Sequence, residues 1–337
     1  MLIVAAPDRF GAAASAADAA AAVAEAAATT GAACDVAPVA DGGEGTLDAL
    51  GGAVRRTTVR GPLGEPVEAE WRMQAGGTAV VEMARASGLA LLAGGPQGND
   101  PLRASTAGTG DLIAAALDAG ATGVIVGAGG AASTDGGLAA LTALNPRRRL
   151  HAGIELVVAC DVDTLFVDAA EVFAPHKGAT PAQVALLRRR LERLAQVYLR
   201  DYGVDVRDEP GSGAGGGLAG GLAAAGAVLL PGFDVVAEAL GLAERIAAAD
   251  LVVTGEGTVD AESFAGNPVG GVVDLATDAG VPVLVVAGDV LAGELPELPP
   301  SVQVVSLVAW FGRDRATADI RGCVGEVVRT TLADLRG

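Results

Sequence analysis

Five loops of this 337-residue chain combine glycines with acids or hydroxyls in spacings that could handle a charged ligand. They are Asp8-Arg-Phe-Gly11, Ala40-Asp-Gly-Gly-Glu-Gly-Thr46, Gly129-Gly-Ala-Ala-Ser-Thr-Asp-Gly-Gly137, Gly211-Ser-Gly-Ala-Gly-Gly-Gly-Leu218 and Thr254-Gly-Glu-Gly-Thr-Val-Asp260. Glycines let backbone N–H groups converge on an anion, most effectively where a helix begins. Carboxylates beside such a nest repel an anion unless they bind a cation or accept a proton. That combination is what phosphoryl transfer from Mg·ATP requires. Any one such loop also occurs as an ordinary strand cap; five together carry the argument.

Positive charge is scarce. Lys177, in Phe173-Ala-Pro-His-Lys-Gly-Ala179, is the only lysine; every other full-time cation is an arginine. A compact ammonium and a planar guanidinium are not interchangeable, so a lone lysine beside a glycine turn is a candidate phosphate or carboxylate contact. The ordinary alternative is a chance surface lysine.

Several chemistries are disfavoured. There is no GxxxxGK[ST] and no G-x-S-x-G elbow, and the glycine run at 213–217 does not follow a convincing strand. Two histidines, His151 and His176, are too few for a histidine zinc site or an ordinary triad. Cys34, Cys160 and Cys323 lack CxxC spacing and read as reduced thiols of a cytosolic protein. The net charge of −18 argues against nucleic acid and against an anionic membrane surface. Residues 1–7 read as a first strand rather than a signal peptide, and no apolar run reaches spanning length.

The elements that must position these loops alternate. Residues 2–6, 34–39, 251–254, 281–287 and 302–308 are continuous apolar runs separated by helical stretches, the pattern of one mainly parallel sheet covered on both faces. Ser15 with Asp18 predicts a capping box. Between these runs, residues 56–60 and 67–71 flank Gly61-Pro-Leu-Gly-Glu-Pro66, a hairpin signal that does not belong in a purely parallel unit. The expectation is therefore an α/β chain of two domains: residues 1–60 with 235–337, and an inserted α/β domain, 61–234, with a mixed sheet. Asp8, Asp41, Glu44, Asp135, Glu256 and Asp260 are expected to line one cleft between them.

The motifs, in order, resemble those of the type I glycerate kinases over almost the whole length. Ala40-Asp-Gly-Gly-Glu-Gly-Thr46 is similar to the family's A-D-G-G-E-G-T block throughout. Val81-Glu-Met-Ala-Arg-Ala-Ser-Gly-Leu89, Thr106-Ala-Gly-Thr-Gly-Asp-Leu-Ile113, residues 129–137, Val158-Ala-Cys-Asp-Val162 and residues 173–179 follow similarly. The resemblance implies a flavodoxin-like domain with an inserted α/β domain, and an enzyme that phosphorylates glycerate or a related small hydroxy acid with ATP and Mg²⁺.

On that resemblance, Asp41, Asp135 and Lys177 are the candidate catalytic residues, and Asp41, Asp135 and Asp260 the candidate metal ligands. Asp8, Arg9, Gly42, Gly43, Glu44, Thr46, Ser87, Gly129, Gly130, Gly213, Gly215 and Glu256 are the candidate substrate and nucleotide contacts. A homodimer is compatible with this. The chain departs from the family where charge should act: Gly11, Thr258 and Asn267 stand where the family has cations, Glu262-Ser263 replaces Gln-Thr, and Thr134 replaces an asparagine. Losing such cations weakens transition-state stabilisation. The alternative is thus a catalytically impaired or repurposed paralogue that binds without turnover.

Overall fold

The computed structural model describes residues 1–150, 153–291 and 295–335; His151 lies outside them. Eleven strands are described: β1 (Leu2–Ala5), β2 (Ala33–Val36), β3 (Ala53–Arg60), β4 (Pro66–Met73), β5 (Thr78–Glu82), β6 (Gly123–Gly127), β7 (Glu155–Cys160), β8 (Val228–Pro231), β9 (Leu251–Val259), β10 (Val283–Val290) and β11 (Val302–Ser306). The chain divides into two compact units, Met1–Asp41 with Phe233–Gly337, and Gly42–Gly232.

In the first unit all pairings are parallel and the order is β11-β10-β9-β1-β2. Renumbered within the unit, this is the 2-1-3-4-5 order of a flavodoxin-like sheet, whose order reverses between β1 and β9. Continuous apolar strands are explained by two-faced burial. Ile3 and Ala5 join Leu251, Val253 and Leu284 beneath the helices Ala16–Thr29 and Ile320–Asp334. Their neighbours Val4 and Ala6 face the opposite way, with Val252, Val283 and Val272 of the helix Pro268–Ala279. The Ser15–Asp18 capping box is formed.

The second unit holds a six-stranded mixed sheet, β3-β4-β5-β6-β7-β8, antiparallel from β3 to β5 and parallel from β5 to β8. β3 was placed by the expected boundary at residue 60 with the first domain, but it pairs along its whole length with β4. A tight turn at 61–66 leaves its two flanking strands no choice but to pair with each other, so both belong to one sheet. The helix Pro181–Tyr202 packs on the helices Ala169–Phe173 and Ala214–Ala224; it is opened by a Thr180–Gln183 capping box, with Leu187, Leu191, Leu194 and Tyr198 inward and arginines outward.

β1 sits between β2 and β9, with Ile3 fully buried. Ile3→Ala should therefore lower the stability of the first unit by about 3 kcal/mol. Trp310 lies in that unit and Trp71 in the other, so in a Trp71→Phe background the loss should appear as an earlier urea midpoint of Trp310 fluorescence. An unmoved midpoint would mean that β1 does not hold the sheet.

Candidate active site

The carboxyl ends of β1 and β9 meet at the reversal of strand order, and acids gather there. The amide of Asp8 donates to the Gly255 carbonyl at 2.8 Å, and Thr254 Oγ1 donates to the Ala6 carbonyl at 2.8 Å, locking the two strand ends together. Burial pushes the Asp8 carboxyl up to about 7; the Arg9 amide, donating at 2.7 Å, opposes this, and the charges of Asp41 and Glu256 add to it. Glu256 is likewise raised, by burial first; a hydrogen bond with Ser263 opposes this, and the charges of Asp260 and Asp41 add to it. Its Oε1 is buried without a hydrogen-bond partner. Asp260 Oδ1 accepts from the Ser263 amide at 3.1 Å and closes a short turn. Four predicted acids, Asp8, Asp41, Glu256 and Asp260, thus act on one another within the first unit.

The positions where cations were expected face this same unit. Gly11 and Thr258 are exposed, and Asn267 uses its amide to bond the Glu262 carbonyl at 2.9 Å ahead of the helix Pro268–Ala279. Arg9 is exposed beside Asp8. A further arginine was missed by sequence reasoning. Thr258 pairs in register with Asp289, and Arg313 Nη2 lies 2.7 Å from the Asp289 carboxylate. Strand register, not motif spacing, brings Arg313 to this rim.

The second unit builds a separate cavity of about 580 Å³ at the carboxyl ends of its parallel strands. Glu44, Gly129, Gly130, Lys177 and Gly215 line it, joined by Asp161, His176 and Gly216. Lys177 is buried, which sets aside the alternative of a chance surface lysine. Its Nζ donates to the Ser133 carbonyl at 2.6 Å and stands 5.8 Å from the centre of the Phe173 ring. Burial depresses its pKa to about 8, while Asp135 acts the other way. Gly216, at φ 71°, passes over this ammonium; a Cβ there would collide with the Ser133 carbonyl and crowd Nζ, so the glycine is required.

Asp135 is fully enclosed in hydrogen bonds. Oδ2 accepts from the Thr106 amide (3.0 Å) and Oγ1 (2.9 Å), and Oδ1 from the Gly137 amide (3.1 Å). Burial raises its pKa and these bonds oppose the rise. It lies in the second unit, whereas Asp41 and Asp260 lie in the first; among the described residues no three His, Cys, Asp or Glu side chains are grouped as a metal cage. Ser87 is buried, and its hydroxyl accepts from Thr109 at 2.8 Å, a packing role. Gly213 donates to the Thr164 carbonyl, Gly42 packs on Gly232 and Ala159, and Thr46 Oγ1 donates to the Gly43 carbonyl at 2.8 Å. These three shape the loops.

Glu82, at the end of β5, was not singled out. It is 1% exposed, and its Oε1 accepts from the amides of Gly45 and Leu47, both at 2.9 Å, while Arg85 pairs with Oε2 at 3.1 Å. It therefore fixes the Asp-Gly-Gly-Glu-Gly-Thr loop from beneath. The only sequence signal was its place in the Val-Glu-Met-Ala block.

The glycerate kinase family pattern matches residues 3–149 and 145–308. Glycerate 2-kinase of Escherichia coli K12 is 39% identical over 287 residues, covering 74% of this chain and 75% of that protein. Glycerate kinase of Bacillus subtilis 168 is 38% identical over 328 residues, covering 86% and 85%. An uncharacterized protein of Mycobacterium tuberculosis is 42% identical over 302 residues, covering 86% and 79%. The crystal structure of a candidate glycerate kinase 2 from Salmonella typhimurium LT2 superposes with a TM-score of 0.81 at 34% identity, covering all of both chains.

The chain belongs to the glycerate kinase family.

Two predictions arise. An unfolded aspartate ionises near 3.8 and folded Asp8 near 7, so between these values the folded chain binds one more proton and stability falls as pH rises. Asp8→Asn should raise the melting temperature at about pH 8 and lose that advantage below about pH 4, the difference reflecting about 1.4 kcal/mol per pK unit. Parallel melting curves at all pH values would contradict the burial of an ionisable Asp8. Glu82→Ala should destabilise the second unit by about 2–4 kcal/mol, because it strands two buried amides and an arginine, whereas Glu82→Gln keeps an acceptor and should cost less. Equal urea midpoints for the two variants would show that the amide contacts do not matter.

Proposed function

We propose that this chain phosphorylates glycerate, or a closely related small hydroxy acid, using Mg·ATP. The observation that carries the reading is the acid cluster at the strand-order reversal, Asp8, Asp41, Glu256 and Asp260, with a buried Glu256 oxygen lacking any partner. Mutually repelling carboxylates with an unsatisfied oxygen suit a divalent cation, and Mg²⁺ is usually held by only one or two carboxylates plus phosphate oxygens. Glu256 and Asp260 would hold it; when bound, it would neutralise charge on the phosphate oxygens.

The chain's own residues supply the rest. Asp8, whose carboxyl is raised chiefly by burial, would take up the hydroxyl proton. Asp135 suits this role less, because its oxygens already accept from Thr106 and Gly137. In the second unit Lys177 keeps two N–H groups beyond the one given to Ser133, and the glycines at 129–130 and 215–216 line the same cavity. An ammonium with backbone donors suits an anion. That one pair of ligands engages both groups belongs to this proposal.

A second reading has an observation in its favour: Gly11, Thr258 and Asn267 supply no charge, so the chain could bind without turnover. ³¹P NMR of the purified protein with Mg·ATP and glycerate separates the two. Phosphoglycerate is expected; calorimetric binding of both ligands without product would leave the binding protein. Lys177→Ala should weaken glycerate or Mg·ATP binding at least tenfold, and Lys177→Arg should recover only part, since the longer fork meets Gly216. Unchanged affinity in both variants would remove Lys177 from the site.

A further inference from the structure

We propose that a second cavity in the Gly42–Gly232 unit, of about 430 Å³, is a binding site for a small amphipathic carboxylate with an unbranched or aromatic apolar body. It lies between the helix Pro181–Tyr202 and the segment 101–104, and shares no lining residue with the cavity that holds Lys177. Its volume is that of roughly fourteen waters at about 30 Å³ each, within the range of small-molecule sites.

The walls are apolar: Leu102, Leu138, Leu187, Leu191, Leu194 and Val197 contribute. Leu138 is 49% exposed, an open apolar edge rather than a closed core. The polar lining groups are Thr134, Asp135, Arg190 and Arg193, and the Asp135 oxygens are taken up by Thr106 and Gly137. Thr134 lines the cavity, is 2% exposed, and its hydroxyl has no hydrogen-bond partner. Arg190 and Arg193 line it from the outward side of the helix. Arg190 spends one N–H on the Leu102 carbonyl at 3.0 Å. Among the described residues neither arginine has an ion-pair partner, in a chain whose net charge is −18 and whose other arginines repeatedly pair with acids. Two uncompensated cations above an apolar pocket match an anionic head on an apolar body, and a carboxylate suits a guanidinium fork.

The position also gives occupancy a consequence. Thr134 and Asp135 line this cavity, while the carbonyl of the preceding Ser133 holds Lys177 at the other. A ligand that settles Thr134 therefore acts on the segment that anchors Lys177.

Calorimetric titration of the full chain with sodium octanoate tests the site without nucleotide or glycerate, so its result is independent of the kinase reading. Saturable binding of octanoate is expected, with acetate and 1-octanol at least tenfold weaker because each lacks one half of the match. Arg193→Glu removes a rim cation and Leu138→Trp fills the apolar edge; both positions are solvent-exposed, and thermal melts verify their folding. Each should weaken octanoate at least tenfold. Failure of octanoate to saturate the wild-type protein, equal binding of 1-octanol, or unchanged octanoate affinity in either variant would overturn the proposal.

Discussion

A buried ammonium must place its N–H groups and balance its charge, and the loops of the second unit are arranged around that demand. Lys177 gives one bond to Ser133, lies over Phe173, and feels the field of Asp135, which is itself held by Thr106 and Gly137. Removing one member leaves the others unsatisfied, which is why such clusters are costly to break. Gly216 follows from the same demand, since only a residue without a side chain can cross above Nζ. The glycine-rich run at 211–218 is thus shaped by a neighbouring cation as well as by any ligand.

The first unit solves the opposite problem. Its strand ends converge acids with little local cation, and burial of Asp8 against Asp41 and Glu256 is tolerated because the carboxyl holds its proton to about pH 7. Concentrated negative charge costs stability, and functional sites commonly carry such perturbed groups. The buried ammonium of the other unit has its own acid neighbour in Asp135.

How far this was legible depends on the kind of signal. The parallel sheet was readable because strands buried on both faces are apolar at every position, and the hairpin because turn glycine and proline mark it. The domain boundary was misplaced, although the hairpin already implied that β3 belongs with β4. The acids at 8, 41, 256 and 260 were legible from their loops. For Lys177 the sequence pointed to a ligand contact but not to its burial, which comes from the three-dimensional return of residues 133 and 216. Glu82 was hidden for a related reason, because an acid at a strand end reads as a surface charge until the amides of Gly45 and Leu47, distant in sequence, come to rest on it. Arg313 entered through strand register, which one sequence does not print.

The family departures take on a physical meaning in this frame. Asn267 is a turn-closing amide and Gly11 a left-handed corner, so neither position is simply a cation with its charge deleted. Thr258 keeps its place in β9 beside Asp289, and the arginine that reaches that strand pair, Arg313, comes from the start of the helix Arg313–Ala318. Its guanidinium is half-committed to Asp289, so it offers less charge to a ligand than an unpaired arginine would. On the proposed function, a site built this way would lean on a divalent cation and on backbone donors more than on side-chain positive charge, in keeping with a chain that has one lysine and an excess of acids.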